Sequence, residues 1–428
     1  MSKEKYRFNA SFRAIGAFWP FGQPDRMFTG VLSAERGKLS LASAPVYCAQ
    51  NVAEAWADFF NSLGSDGAFE RTESFCGFTS EGDCSLLSAA LINEGGLTDG
   101  LSGQRIYDRQ YRIWAAVMGL HLRSAEAPQI EYAAFRFTDV AEWFPSAFEV
   151  NRGHEQPAFT LTTTPSEVFR FHCTALNADV TCNLHVQAPI KRRRARIQSV
   201  PIITIKPTRL QSVEWFTDIA FRIENFLTLF LGTSVNLKAA ELIADGRSGW
   251  LVRNVRRQVE KPRLQSWIRC PNQVISAALD RWLAEPENKR PIEKTLLGVL
   301  RKSSLFVETE FLSLAQALEG FHRIQGGSTR TTFKARVEKT YDMLSAGFAL
   351  KLLGEKNVFA RRIVQTRNYF THLGIPAGPD VIRNGAELFC LNQQLHALLR
   401  CVMLIRLGVD ETFLREPMHY QATRWTLR

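Results

Sequence analysis

In the segment Arg361-Arg362-Ile363-Val364-Gln365-Thr366-Arg367-Asn368-Tyr369-Phe370-Thr371-His372, an arginine, an asparagine and a histidine fall close together. Gly374 and Pro376 follow as a helix stop. These side chains suffice to cleave RNA without a metal. A ribose 2′-OH attacks the adjacent phosphate, and an imidazole takes or returns the proton because its pKa lies near working pH. A guanidinium forks onto the non-bridging oxygens as charge builds. An amide orients the imidazole or the phosphate.

On a helical wheel Phe359, Ile363 and Phe370 share a core face, and Arg367 falls near it. Asn368 and His372 are four apart and therefore neighbours. Arg367 and His372 stand about 140° apart on an ideal helix. They meet only because Arg is long and the helix is ending. An Arg turned toward a packed seam needs an anion, either a carboxylate or a phosphate. The helix dipole favours a protonated imidazole at a C-terminus.

Four helical patterns are expected to position these groups. The first runs from about Ser304 to Arg323, with Phe311, Leu314, Ala315, Leu318 and Phe321 on one side. The second runs from about Thr332 to Leu353, with Phe333, Val337, Tyr341, Leu344 and Phe348 as its stripe. The third carries the Arg–Asn–His group. The fourth, about Ala386 to Leu407, is apolar on most of its circumference and needs a second partner surface. Short connections make this a bundle. Glu319, on the first helix, is a candidate ion-pair partner for Arg367. His322 lies in that helix's apolar stripe, either as a hydrogen-bonded core residue or as a group near the site.

Upstream the pattern changes. Residues 1–205 read as a β-rich, sandwich-like domain of short alternating runs. Val31–Ser33 and Leu39–Leu41 flank a hairpin turn at Glu35-Arg36-Gly37-Lys38, and Asn177-Ala178-Asp179 turns a second hairpin. Asn51–Ser62 reads as a helix. Residues 206–303 form a mixed, mainly helical connector that includes a Trp215–Phe230 helix ended by Gly232, two ambiguous strands at Leu237–Ile243 and Trp250–Val255, and a Val274–Leu283 helix. Residues 304–428 are the bundle. The expected class is α+β, multidomain.

A net charge of +11 favours polyanion partners. Lys191, Arg192, Arg193, Arg194 and Arg196 form the densest run, either an RNA-phosphate patch or a solvated edge blunted by charge. The eight cysteines include no CxxC pair, and several sit in apolar segments, as reduced thiols do. His172, Cys173, Cys182 and His185 alternate between faces and do not converge on one metal. No metal site, cofactor, P-loop, G-x-S-x-G or dinucleotide turn is read. The charged Met1–Arg7 leads into no hydrophobic stretch, and the apolar runs Phe226–Leu231 and Leu398–Leu407 fall short of a bilayer span. A soluble cytoplasmic protein with no membrane partner is expected.

Arg367-Asn368-Tyr369-Phe370-Thr371-His372 resembles the R-x4-6-H motif of HEPN ribonucleases, with the polar residue that usually follows the Arg. Gln316-Ala317-Leu318-Glu319-Gly320-Phe321-His322-Arg323 resembles the first HEPN helix of the ApeA-like group. The β-rich part, with Gly16-Ala17-Phe18-Trp19-Pro20 and Thr29-Gly30-Val31-Leu32, is similar to the domain preceding HEPN in ApeA anti-phage proteins. The resemblance implies a metal-independent endoribonuclease acting by abortive infection, leaving 2′,3′-cyclic phosphate ends. Its implied catalytic set is Arg367, Asn368 and His372, doubled across a homodimer. The implied partners are cellular RNA, with tRNA as the expected class, and a phage-derived trigger sensed by the N-terminal part. The alternative is a non-catalytic HEPN dimerisation or RNA-binding module attached to a ligand-binding sandwich.

Overall fold

The computed structural model describes residues 11–35, 38–43, 46–47, 73–98, 105–138, 140, 143–144, 148–152, 159–163, 166–187, 190–191, 194–195, 198–253, 267–286, 290–301, 305–328, 330–372 and 378–423. The Asn51–Ser62 helix, Arg36, Gly37, Gly374 and Pro376 lie outside them. The chain forms two compact units. One holds Met1–Arg136, Ile203–Asp218 and Leu237–Arg257; the other holds Phe137–Ile202, Ile219–Asn236 and Gln258–Arg428. This differs from a division at residues 205 and 303, because pairing rather than chain order decides membership.

In the first unit, β1 (Phe12–Pro20), β2 (Phe28–Glu35), β3 (Lys38–Ser43), β4 (Val46–Tyr47), β5 (Glu73–Thr79), β6 (Gly82–Thr98) and β7 (Arg105–Met118) are antiparallel. Their order runs β7-β3-β2-β1-β5-β6, and β6 pairs back onto β7 from Cys84↔Met118 to Thr98↔Arg105. That pairing closes a barrel where the sequence reading expected a sandwich, and closure removes the open edges a sheet would leave. Phe12, Ala14, Phe18, Leu32, Leu41, Phe75 and Ile113 fill the interior. Gly16 and Gly30 face each other across β1 and β2. A Cβ on Gly16 would stand 2.3 Å from the Phe78 carbonyl oxygen, so the close strand approach excludes a side chain.

Further along β7, Ala115–Met118 pair with the hairpin of β16 (Leu237–Ala244) and β17 (Arg247–Arg253). Both strands lie inside the expected connector, yet they extend this sheet. β8 (Tyr132–Phe137) pairs with β15 (Gln198–Pro207) at Ile203–Ile205.

The second unit carries β9 (Phe148–Arg152) with β10 (Phe159–Thr163), and the hairpin of β11 (Ser166–Cys173) and β12 (Ala178–Gln187). Asn177 turns that hairpin at φ 48°. Cys173 and Cys182 point inward, while His172 and His185 are exposed, so the four do not converge. Burial pushes the Cys173 thiol up to about 11 and that of Cys182 higher still. β13 (Ile190–Lys191) and β14 (Arg194–Ala195) form a two-residue ladder pairing Lys191 with Arg194. Arg192, Arg193 and Arg196 lie outside the described residues.

Helices make up the rest. They are α1 (Val213–Leu231), α2 (Asn272–Ala284), α3 (Arg290–Arg301), α4 (Val307–Ile324), α5 (Phe333–Tyr341), α6 (Ala346–Leu353), α7 (Lys356–Thr371), α8 (Gly385–Arg406) and α9 (Arg415–Thr423). The single helix expected over Thr332–Leu353 is two. At the break Ser345 gives its amide to Glu411 Oε2 at 2.8 Å and its hydroxyl to Oε1 at 2.5 Å, so this amide is diverted from the helical ladder. α8 is the core helix, packed by α4, α9, α6 and α5. By length and composition it would cross a membrane, but 78% of its apolar window is buried inside the protein. Its second partner surface is supplied by the same unit: Arg400 reaches the Leu229 and Phe230 carbonyls, and Arg281 reaches that of Leu407.

Candidate active site

α7 presents Phe359, Ala360, Ile363 and Thr366 to the core. The helix is also tied to the chain entering α8. Gln365 Oε1 accepts from the Asp380 amide at 3.2 Å, Thr366 Oγ1 accepts from the Ile382 amide at 3.1 Å, and Arg361 pairs with Asp380 at 3.1 Å. These ties fix the helix end that bears the motif.

Arg367 leans into the seam, as its wheel position predicts. Its guanidinium stands 3.7 Å from Glu319 Oε2 on α4 and 5.2 Å from the Phe333 ring centroid on α5. The first distance is that of an ion pair rather than a hydrogen bond. The same carboxylate binds Arg323 at 2.9 Å and Arg336 at 2.5 Å through Oε1. Arg336 is buried, and its Nε donates to the Thr331 carbonyl at 3.0 Å.

His372 stands just past the helix. Its amide donates to the Asn368 carbonyl at 2.9 Å, but its φ of −120° and ψ of 78° take it off the helical path. The neighbouring Asn368 is thereby joined to it through the backbone. Among the described residues, neither the Asn368 amide nor the exposed His372 ring has a side-chain partner. Tyr369, three residues before His372, lies under Arg383 at 5.1 Å and against Phe370 at 5.2 Å.

His322 is buried one turn along the same helix from Glu319, and among the described residues its Nδ1 has no hydrogen-bond partner. Burial, then the charges of Lys339 and Arg336, hold its pKa below the ordinary imidazole value. It is therefore a core residue held toward its neutral form, while Glu319 on the same helix meets Arg336 of α5 and Arg367 of α7. The structure brings Glu319 and Arg367 together, and adds Arg336 and Phe333. Sequence spacing named Phe333 only as core and missed Arg336, which lies on a different helix from the motif and follows no local pattern. The side chains of Lys191 and Arg194, like Arg192, Arg193 and Arg196, lie outside what the structure describes.

A guanidinium loosely held by a carboxylate can bind a phosphodiester, and an exposed imidazole at the end of the same helix is of the type that moves a proton. Residues 312–413 match the family model described as Apea-like HEPN, which spans Glu319, Arg336, Arg367 and His372. Residues 13–269 match the model described as ApeA N-terminal domain 1. No curated protein and no solved structure matches the chain. HEPN domains are generally ribonucleases and act on RNA as dimers. With a nuclease-type HEPN domain behind a β-rich part whose own match covers more than half the sequence, the chain belongs to the ApeA-like HEPN family of anti-phage proteins.

Proposed function

We propose that this protein is a metal-independent endoribonuclease that stops phage by abortive infection, cutting cellular RNA, with tRNA the first class to test. The observation that carries the reading is the exposed His372 imidazole, without a side-chain partner among the described residues, at the end of the helix whose Arg367 guanidinium stands 3.7 Å from its carboxylate. In the reaction, Arg367 holds the non-bridging oxygens of the scissile phosphate. His372 takes the 2′-OH proton or delivers one to the leaving 5′ oxygen. The 2′ oxygen forms a bond to phosphorus as the P–O5′ bond breaks, leaving a 2′,3′-cyclic phosphate and a 5′-OH. Asn368 orients the phosphate or the ring. The reading includes a homodimer through the HEPN domain, a cytoplasmic location, and a β-rich part that senses a phage-derived trigger.

The test is incubation of the purified full chain with total RNA, with and without chelator. Expected are chelator-resistant cuts bearing 2′,3′-cyclic phosphate. Arg367→Ala and His372→Ala should each lower cleavage by about 100-fold or more and abolish phage protection. RNA that is bound with a steep salt dependence but never cut would point to the non-catalytic module instead. Loss of cleavage on chelation would overturn the mechanism.

A further inference from the structure

One carboxylate in this protein serves three guanidiniums. Glu319 Oε1 accepts from Arg323 at 2.9 Å and from Arg336 at 2.5 Å, while Oε2 faces Arg367 alone at 3.7 Å. The three are not equal. Arg323 is on Glu319's own helix and more than half exposed, an ordinary surface pair. Arg336 is only 5% exposed, and its Nε is pinned to the Thr331 carbonyl at 3.0 Å, so its guanidinium plane is fixed. Arg367 lies over the Phe333 ring, which sets its direction without satisfying its N–H groups. Two forks on α5 and α7 thus converge on one small anion supplied by α4.

A phosphodiester presents what the carboxylate presents: two oxygens sharing one negative charge, at a spacing a guanidinium fork matches. Glu319 is about one-quarter exposed, so its side chain is reachable from solvent.

We propose that Glu319 stands in for the scissile phosphate in the RNA-free protein, and that an RNA phosphodiester displaces it to take both Arg367 and Arg336. This rests on the reading of Arg367 as the phosphate-holding residue. Arg336 is then a second phosphate ligand that the R-x4-6-H motif does not contain. Glu319 becomes an internal competitor that keeps Arg367 occupied until RNA arrives. The exchange replaces one anion by another around guanidiniums already held in place, so neither is left unpaired at any stage.

The probe is a 2′-O-methyl oligonucleotide, which keeps every phosphate and lacks the attacking hydroxyl. Its binding to the full chain is followed by fluorescence anisotropy across a salt series. Glu319→Gln keeps the size of the side chain and removes its charge. It should tighten binding about 5- to 10-fold at low salt. Arg336→Gln should weaken it about 10-fold and lower the salt slope by about 1. Glu319→Ala should shift affinity in the same direction as Glu319→Gln and is the second variant if the first folds poorly. If removing the carboxylate leaves binding unchanged or weaker, Glu319 merely orients Arg367 and the proposal is overturned. Wild-type cleavage of ordinary RNA is measured on the same samples. Binding that follows the pattern with no cleavage sinks the nuclease reading alone. Cleavage with no gain from Glu319→Gln sinks the displacement alone.

Discussion

Gly327 lies directly on the imidazole of His322: a Cβ there would stand 2.0 Å from Cε1 and 2.2 Å from Nδ1. The glycine's amide also donates to the His322 carbonyl at 3.1 Å as α4 ends. Space, and not backbone freedom, requires glycine here. Gly327→Ala must push the ring out of its buried seat, at a cost of about 1–3 kcal/mol for an overpacked core position. Chemical denaturation of the full chain should show the loss. His322→Ala combined with Gly327→Ala should lose less than the sum of the two, because the smaller side chain removes the clash. Additive losses would mean that the two do not compete for space.

The same seat makes stability depend on pH. His322 titrates below its ordinary 6.5 because burial, Lys339 and Arg336 all disfavour the added proton. Between the folded value and 6.5 the unfolded chain binds more protons, so stability rises with pH across that window. The contribution is complete above pH 6.5 and is lost as pH falls toward the folded value. Melting curves at pH 7.5 and 5.5 should show His322→Gln losing less on acidification than the wild type. Parallel losses would assign the acid sensitivity to another group.

What could be read from sequence was local. Glu35 and Lys38 close the β2–β3 hairpin as expected, and Asn177 turns β11 into β12. The ambiguous 237–255 stretch resolves into two strands because Asp245 and Gly246 both take positive φ, the turn a two-residue hairpin prefers. Arg367 leans where the helical period puts it. What could not be read depends on partners far along the chain. A β-rich reading of residues 1–205 does not say that β6 pairs back onto β7 and closes a barrel. The Thr332–Leu353 stripe is continuous, yet the helix breaks because a carboxylate 66 residues further on takes the Ser345 amide. His372 lies at the right spacing from Asn368, but the chain has already left the helix there.

That break carries its own prediction. Burial pushes the Glu411 carboxyl up, but the Ser345 hydroxyl and amide, and then Arg415, outweigh it, and its pKa lies below 4.5. The folded state therefore favours the ionised form. Its contribution is present above the unfolded value and is lost as pH falls through the folded one. Glu411→Gln should lower the melting temperature at pH 7 by a few degrees, consistent with loss of about 1 kcal/mol from a charged helix cap. The difference from wild type should shrink below about pH 4. A difference that persists unchanged in acid would mean that the charge is not what holds Ser345.

Three arginines link three helices in a closed ring. Arg222 on α1 donates to the Trp282 and Leu283 carbonyls at 2.8 and 2.6 Å, in the last turn of α2. Arg281 on α2 donates to the Leu407 carbonyl at 2.6 Å, at the end of α8. Arg400 on α8 donates to the Leu229 and Phe230 carbonyls at 2.9 and 3.0 Å, in the last turn of α1. Each cation meets the negative end of a helix dipole and satisfies carbonyls that the helix leaves open. Burial lowers the Arg400 pKa only to about 10, so it stays charged at neutral pH. Arg400→Met keeps much of the side-chain volume while taking the donor from the Leu229 carbonyl and from the buried Gln421 Oε1, the Phe230 carbonyl keeping the Ile268 amide, and should cost on the order of 3 kcal/mol. Arg222→Met should cost a similar amount. Because each contact holds a helix that carries another, the double variant should lose less than the sum, with a coupling of about 1 kcal/mol or more in a denaturation cycle. Strict additivity would mean that the three caps act independently and that the ring has no mechanical meaning.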